Sequence, residues 1–334
     1  MSDSSHQPPQ NPSSEGGKVL PPRLPEKAHK RRTAIGVIIA AAVVVVAAVV
    51  ATTVIVTNNS ASPAAADGAK PQTVSIGVAD ASQPYWKTYS ALAKKKLNVT
   101  IKLVNFTDYS QPNPALSQGQ TDLNEFQHIQ FLANYNVSND DNLQPIGATA
   151  VYPLTLYSLK YTKPADIPAG AQVAIPNDTI NQARGLLVLQ AAKLITLKNG
   201  GSAFSSLADI ATKKVDVVAV DAAQTAVALQ NGSAAASIVN NNYATEAKLP
   251  TSKAIFHDDP SSDIAAPYVN VFAARAKDTH NALYLKLAAL YHNPTVEKQV
   301  QAANGGTAVF RTTSASKLQA ELKKVEGDAR AAKK

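Results

Sequence analysis

The stretch Ile175-Pro176-Asn177-Asp178-Thr179-Ile180-Asn181-Gln182-Ala183-Arg184 joins a short apolar strand to the start of a helix. Asp178 is a residue type that caps helix N-termini, and Leu186, Leu187 and Leu189 continue the helical pattern. Backbone N–H groups at a helix start attract anions, and turns at the carboxyl ends of strands line the ligand crevice of open α/β sheets. This strand–turn–helix unit therefore predicts an α/β fold with an anion-binding position.

Arg184 is the first candidate for contacting such an anion. It is the only arginine between Thr33 and Ala274, a span that otherwise uses 14 lysines for positive charge. A guanidinium presents a planar fork that grips a carboxylate with two hydrogen bonds, whereas lysine suits a solvated surface. The alternative is that Arg184 forms a surface or interlobe salt bridge.

Strand and helix patterns continue on both sides of this unit. Strands are predicted at Val74–Val78, Val99–Leu103, Gln172–Ile175, Val215–Val220, Ile238–Val239 and Val269–Ala273. Helices are predicted around Trp86, Tyr89 and Leu92 and at 181–197, 281–292 and 314–325. This alternation predicts an α/β protein with mostly parallel sheets, and about 260 residues suit two lobes better than one.

A second polar and aromatic cluster follows the strand that begins at Val99. It comprises residues 105–113 and 122–128, and it includes Tyr109, Phe126 and His128. These side chains are suited to an apolar pocket with polar edges, and core packing is the alternative for each of them. His257-Asp258-Asp259 precedes Pro260 in a polar stretch, so a solvated loop is predicted there.

The amino-terminal region predicts export and a membrane anchor. Residues 1–33 are rich in Pro, Ser, Gln and Asn, which predicts a disordered cytoplasmic segment. Residues 34–56 are almost entirely Ala, Val and Ile after a basic cluster, so 34–57 is assigned as a single-pass transmembrane anchor with the C-terminal domain outside the cell. A linker at 58–72 follows. The alternative is a cleaved signal peptide, because Ala64-Ala65-Ala66 has the small residues that a signal-peptide cleavage site requires.

Composition and motifs exclude several classes of function. The net charge of +8 divides into +3 for residues 1–33 (six basic, three acidic) and +5 for the rest (26 basic, 21 acidic), with no arginine-rich run, so nucleic-acid binding is not predicted. The absence of cysteine excludes disulfides, thiolate metal sites and an acylated cysteine. No nucleophile, metal or nucleotide motif is present. A binding protein without cofactors is predicted, and not an enzyme.

Five ordered motifs resemble the methionine-binding lipoprotein family of NlpA and MetQ type. They are F-T-D-Y-S-Q-P-N (106–113), F-Q-H (126–128), I-P-N-D-x-x-N-x-x-R (175–184), N-Y-A (242–244) and P-Y-V-N-V (267–271). The resemblance covers about residues 73–311. It implies a two-lobed periplasmic-binding-protein-like fold of type II, with one lobe at 73–158 and 265–311, the other at 163–260, and a C-terminal helix or tail at 312–334.

The resemblance also implies a ligand and partners. Arg184 would grip the carboxylate of L-methionine, Asn181 and Asn242 would bind its polar end, and Tyr109, Phe126 and His128 would surround the thioether. The partners would be an ABC permease and its ATPase at the cell membrane.

Three departures from the family pattern concern the anchor and the ligand. The lipid-bearing cysteine is missing, Glu125 stands at an often apolar position, and Gln130-Phe131 replaces Pro-Tyr. Another small amino acid, a short peptide, or a structural or adhesive role on the same scaffold therefore stay as alternatives.

Overall fold

The computed structural model describes residues 71–333, and two five-stranded sheets organise them. The strands are β1 (Gln72–Val78), β2 (Val99–Asn105), β3 (Leu123–His128), β4 (Gln144–Ala148), β5 (Ala150–Val151), β6 (Thr155–Tyr157), β7 (Gln172–Pro176), β8 (Ile195–Leu197), β9 (Ile210–Lys213), β10 (Asp216–Val220), β11 (Ala236–Val239), β12 (Ala254–His257), β13 (Asn270–Ala274) and β14 (Val309–Phe310). The α-helices are α1 (Pro84–Leu97), α2 (Pro112–Ser117), α3 (Ile129–Asn139), α4 (Thr179–Ala191), α5 (Thr225–Gln230), α6 (Asn241–Glu246), α7 (Ala282–Leu290), α8 (Pro294–Ala303) and α9 (Ala315–Ala332).

Both large sheets mix parallel and antiparallel pairings. The first has the order β2-β1-β3-β13-β4, in which β1 runs parallel to β2 and β3, whereas β13 runs antiparallel to β3 and β4. The second has the order β10-β7-β11-β6-β12, in which β7 runs parallel to its neighbours and β6 runs antiparallel to β11 and β12. The prediction of mostly parallel sheets was wrong for the half of each sheet that contains β6 or β13, where the pairings are antiparallel. The chain passes from one sheet to the other at these two strands.

Apolar alternation in the first strand builds the core of the first sheet. Val74, Ile76 and Val78 are fully buried, and Trp86 and Tyr89 of α1 pack into the same cluster. On another side of this sheet, α9 buries an apolar stripe against α3 and β4. The predicted helix at 314–325 is therefore present, and it continues to Ala332.

The second core forms around β7 and α4, the unit quoted at the start. Val173 and Ile175 of the strand and Leu186 and Leu189 of the helix are buried together. The helix predicted to reach residue 197 ends at Ala191, and Ile195–Leu197 forms β8 instead. Lys193 adopts a left-handed backbone with φ of 61°, a conformation that stops a helix.

The chain crosses between the two sheets in the segments around β6 and β13. Thr155–Tyr157 pairs in the second sheet, so the first crossing precedes the boundary expected at residue 158. The lobe boundaries as such stay a prediction. The segment predicted to be disordered (1–33), the predicted anchor at 34–57 and all of the predicted linker except Pro71 and Gln72 lie outside the described residues. From residue 71 to 333, no helix combines the length and apolarity that crossing a bilayer requires.

Candidate functional site

A cleft lies where the carboxyl ends of strands from both sheets meet. Asp80 follows β1, His128 ends β3, Asn181 lies in the first turn after β7, and Asn240 follows β11. The free space of the cleft is about 870 Å³, counting the part that opens to solvent. The six residues singled out from the sequence all line it: Arg184, Asn181, Asn242, Tyr109, Phe126 and His128.

Arg184 is held rigidly at the wall of the cleft. Its side chain is 7% exposed, Nε donates to Asp258 Oδ2 at 2.7 Å, and Nη2 donates to the Tyr152 carbonyl at 2.9 Å. The guanidinium lies over the Tyr268 ring, 4.2 Å from its centroid. The salt bridge considered as an alternative thus exists, yet it uses only one edge of the guanidinium. The remaining N–H groups can still donate to an anion in the cleft.

Asp258 was misjudged from the sequence as part of a solvated loop. Besides pairing with Arg184, its Oδ1 accepts from the Leu154 backbone N–H at 2.8 Å. One carboxylate therefore ties the end of β12 to the segment entering β6 and to the arginine of α4. No local pattern marks this role, because the partners lie 74 and 104 positions away in the chain.

His128 is a neutral donor facing the cleft. It caps α3, because Nδ1 accepts from the Phe131 backbone N–H at 3.1 Å, and this places the proton of the neutral ring on Nε2. Burial, assisted by the nearby charge of Arg184, lowers the pKa of His128 to about 3. Nε2 is buried and has no hydrogen-bond partner within the described chain. This N–H is available to a ligand acceptor.

Three asparagines lie at the cleft, whereas the sequence predicted two of them, Asn181 and Asn242, as ligand-binding residues. Asn181 Nδ2 donates to the Asp178 carboxylate at 3.0 and 3.1 Å, and Asn181 Oδ1 accepts from Asn240 Nδ2 at 2.8 Å, so both polar atoms of the Asn181 side chain already have a protein partner. Asn240 Oδ1 is left buried without a partner in residues 71–333, and the same holds for Asn242 Nδ2. Asn240 was missed from the sequence, although it directly follows a strand end where such side chains converge.

An aromatic wall closes one side of the cleft. Tyr109 lies with its ring centroid 6.0 Å from Phe126, 6.1 Å from Phe131 and 5.1 Å from Tyr243. The Tyr109 hydroxyl donates to Asn242 Oδ1 from the opposite side of the cleft. Phe131, one of the departures noted above, therefore belongs to the wall. Tyr109 is at once a wall residue and a link across the cleft.

Other hydrogen bonds also hold the two sides together. Tyr243 Oη donates to the Thr107 carbonyl at 3.0 Å, and Thr245 Oγ1 donates to the Ala303 carbonyl at 3.3 Å. Both donors belong to α6, which follows β11 of the second sheet. The acceptors lie beside the first sheet, Thr107 just after β2 and Ala303 at the end of α8. The structure is thus a closed arrangement of the cleft.

Two carboxyl groups lie in the cleft and were not assigned to the site from the sequence. Asp80 accepts from Trp86 Nε1 at 2.7 Å and from the Tyr85 hydroxyl, one donor on each oxygen. Glu125 is 6% exposed, and its Oε1 accepts from Thr149 Oγ1 at 2.9 Å. Burial, with the charge of Asp80 as a further cause, raises the pKa of Glu125 to about 8. Within residues 71–333, no three His, Asp or Glu side chains are grouped to hold a metal ion.

Known proteins resemble this chain over most of the residues that the structure describes. A family model described as NlpA lipoprotein matches residues 74–311. The D-methionine-binding lipoprotein MetQ of Salmonella typhi is 34% identical over 249 residues, which is 73% of this chain and 90% of that protein. The substrate-binding protein of a methionine transporter from Streptococcus pneumoniae has a TM-score of 0.66 at 35% identity, over 72% of this chain and 95% of its own. A nutrient-binding protein from Burkholderia cenocepacia, bound to methionine, has a TM-score of 0.65 at 33% identity, over 71% and 99%.

The α/β architecture and its cleft are those of a substrate-binding protein. This fold class was predicted from the sequence, and the solved neighbours confirm it. The chain belongs to the NlpA lipoprotein family, as the family model and the MetQ relatives show.

Proposed function

We propose that the chain captures methionine, or a close relative of it, in the cleft and delivers it to an ABC permease driven by its ATPase. The observation that carries the proposal is the set of buried polar atoms that face the cleft without a protein partner in residues 71–333. Two of them, His128 Nε2 and Asn242 Nδ2, are donors, and Asn240 Oδ1 is an acceptor. Buried polar groups need hydrogen bonds, so a ligand with matching groups completes them.

A zwitterionic amino acid with an apolar side chain matches these groups. The free N–H groups of Arg184, together with the two neutral donors, suit a carboxylate that loses its water in the cleft. The aromatic wall of Tyr109, Phe126 and Phe131 suits a thioether, because polarizable sulfur gains from contacts with aromatic rings. These residues are assigned binding and no catalysis, in line with the methionine binding named for MetQ and the transporter named for the Streptococcus pneumoniae protein.

Thermal unfolding with and without ligand tests this proposal. L-Methionine at ~100 times its dissociation constant should stabilise the full-length chain, stripped of ligand, by about 2.7 kcal/mol. The control is L-norleucine, which keeps the zwitterion and the chain length but has a methylene group in place of the sulfur. If another amino acid or a short peptide raises the unfolding temperature and methionine does not, that compound replaces methionine as the proposed ligand. No shift with any amino acid or peptide would reject ligand capture and favour a structural or adhesive role.

We also propose that the cleft is outside the cell and that residues 34–56 hold the chain in the membrane. The relatives are named lipoproteins, but the 334 residues contain no cysteine that could carry a lipid thioether. The 23 uncharged residues 34–56 are long enough to span the ~30 Å core of a bilayer. Alkaline carbonate washing should leave the chain in the membrane with its N-terminus intact. A released species starting near Asp67 would show instead that a signal peptide is cleaved.

A further inference from the structure

We propose that Glu125 binds a protonated nitrogen of the ligand and thereby selects ligands that carry one. This inference rests on the proposed function, because it assumes that the cleft binds an amino acid. Glu125 lies on β3 and lines the cleft beside Phe126, in the same strand as His128.

The geometry leaves one oxygen of Glu125 for the ligand. Oε1 accepts from Thr149, whereas Oε2 has no hydrogen bond within the part of the chain that the structure describes. Only 6% of the residue is exposed and it lines the cleft, but Oε2 is not fully buried. A carboxyl oxygen that opens into a ligand cleft loses its water when a ligand fills the cleft, and the ligand is then the group that can supply the donor it requires.

The surroundings favour a cation over a neutral donor. Five titratable side chains interact electrostatically with Glu125. They are Asp80 in the loop after β1, Tyr85 and Tyr89 on α1, Tyr152 in the loop after β5, and Tyr291 at the end of α7. The four phenols are neutral, because burial raises the pKa of each of them. No lysine, arginine or histidine is among these groups. An ionised Glu125 therefore lacks a protein cation, and a ligand ammonium supplies the missing charge.

Asp80 is less suited to this role than Glu125. Both of its oxygens already accept hydrogen bonds, from Tyr85 and from Trp86. Burial raises the pKa of Asp80, and in its ionised form Asp80 adds to the attraction of a cation toward this end of the cleft, while Arg184, paired with Asp258, serves the carboxylate. The two ends of a zwitterion thus meet different partners in one cleft.

Binding of a cation has a proton signature. With the pKa of Glu125 near 8, the carboxyl is mostly protonated at pH 7, and it must lose its proton when an ammonium binds. About 0.9 proton should be released per ligand bound at pH 7, which follows from a pKa of 8 by the usual titration relation. A neutral hydrogen bond from the protonated carboxyl would release none.

The experiment compares ligands and variants by titration calorimetry on the full-length chain in detergent. The ligands are L-methionine, its des-amino analogue 4-(methylthio)butanoate, and L-ornithine, each in two buffers of different ionisation enthalpy to count protons. Glu125→Gln keeps the acceptor for Thr149 and removes the charge. Glu321→Gln, on α9 away from the cleft, is the matched control.

The expected result has two parts. Wild type and Glu321→Gln should prefer methionine to the des-amino analogue and release a proton with methionine only. Glu125→Gln should bind methionine about 10- to 150-fold more weakly, bind the analogue as wild type does, and release no proton. Tighter binding of ornithine than of methionine, lost in Glu125→Gln, would identify the cation as one on the ligand side chain instead of the α-ammonium.

Other outcomes overturn the inference. Equal weakening of both methionine and its analogue would make Glu125 a structural residue, and unchanged methionine affinity would leave it without a role in recognition. If Glu125→Gln fails to fold, wild type alone decides, because equal affinities for methionine and its des-amino analogue contradict the inference. These results leave the proposed function intact. Failure of wild type to bind any amino acid would instead overturn both.

Discussion

Replacing Arg184 tests the site at its most constrained position. In Arg184→Ala the ligand carboxylate loses a charged partner in a closed cleft, which costs on the order of 2–5 kcal/mol of binding free energy. This corresponds to roughly 30- to several-thousand-fold weaker binding. Arg184→Lys keeps the charge but loses the planar fork, so its affinity should lie between those of wild type and Ala.

The structure adds a second consequence, for stability. Arg184→Ala also removes the 2.9 Å bond to the Tyr152 carbonyl, the contact with the Tyr268 ring and the partner of Asp258. Asp258 is 27% exposed, so part of its charge stays solvated. A lost hydrogen bond and a lost cation–π contact of about 1 kcal/mol each give a free energy of unfolding lower by about 2 kcal/mol.

Asp258→Asn separates the two consequences. This change weakens the ties to Arg184 and Leu154 but keeps the guanidinium in the cleft. Calorimetric titration with methionine, together with thermal unfolding, should show lower stability but less than about 5-fold weaker binding. If Asp258→Asn weakens binding as much as Arg184→Ala does, Arg184 acts by holding the structure. Near-equal affinities of wild type and Arg184→Ala would refute the assignment of the carboxylate site.

Three further changes test the wall, the neutral donor and the packing. Tyr109→Phe keeps the ring but removes the hydroxyl bond across the cleft, so methionine should bind about 3- to 10-fold more weakly, and an unchanged Kd would contradict that link. The pKa of His128 is about 3 in the folded protein and about 6.5 in the unfolded chain, so the unfolded chain binds the proton first as pH falls. The free energy of unfolding should therefore fall below pH 6.5 by up to about 1.4 kcal/mol per pH unit. Denaturant unfolding of His128→Asn should show a weaker dependence of this free energy on pH between pH 6.5 and 4.5. In Gly147→Ala the new Cβ would lie 2.7 Å from Ala288 Cβ, so the Tm should fall by ~2–10 °C, whereas Gly327→Ala, on an exposed helix position with no neighbour within 4 Å, should not lower it.

Local patterns predicted the parts of the structure that local physics decides. Apolar alternation located β1 and β2, and the cap at Asp178 located the start of α4, because each depends on a few consecutive residues. The isolated arginine in a lysine-rich span pointed to Arg184, since only a special environment requires a guanidinium. The six predicted side chains line one cleft; five of them lie near the carboxyl end of a strand, whereas Arg184 reaches the cleft from the second turn of α4.

The relations that the sequence did not predict involve residues far apart in the chain. Asp258 looks like a loop residue until Arg184 and Leu154 are placed beside it. The sequence predicted that Asn181 binds the ligand, but its amide donates to Asp178 and accepts from Asn240. Neither relation has a periodicity or a spacing that could reveal it, because tertiary packing decides which partner each polar side chain takes.

The same unpaired atoms that indicate a ligand also connect binding to closure. Three cleft-lining side chains among residues 71–333, His128, Asn240 and Asn242, each bury one polar atom without a protein partner. Such atoms cost about 1–3 kcal/mol each where water is excluded. The bonds that Tyr109 and Tyr243 make across the cleft oppose this cost but do not reach these three atoms. A ligand that supplies their partners therefore stabilises the closed arrangement over an open one by several kcal/mol, and a transporter that recognises the closed form thereby recognises the loaded protein.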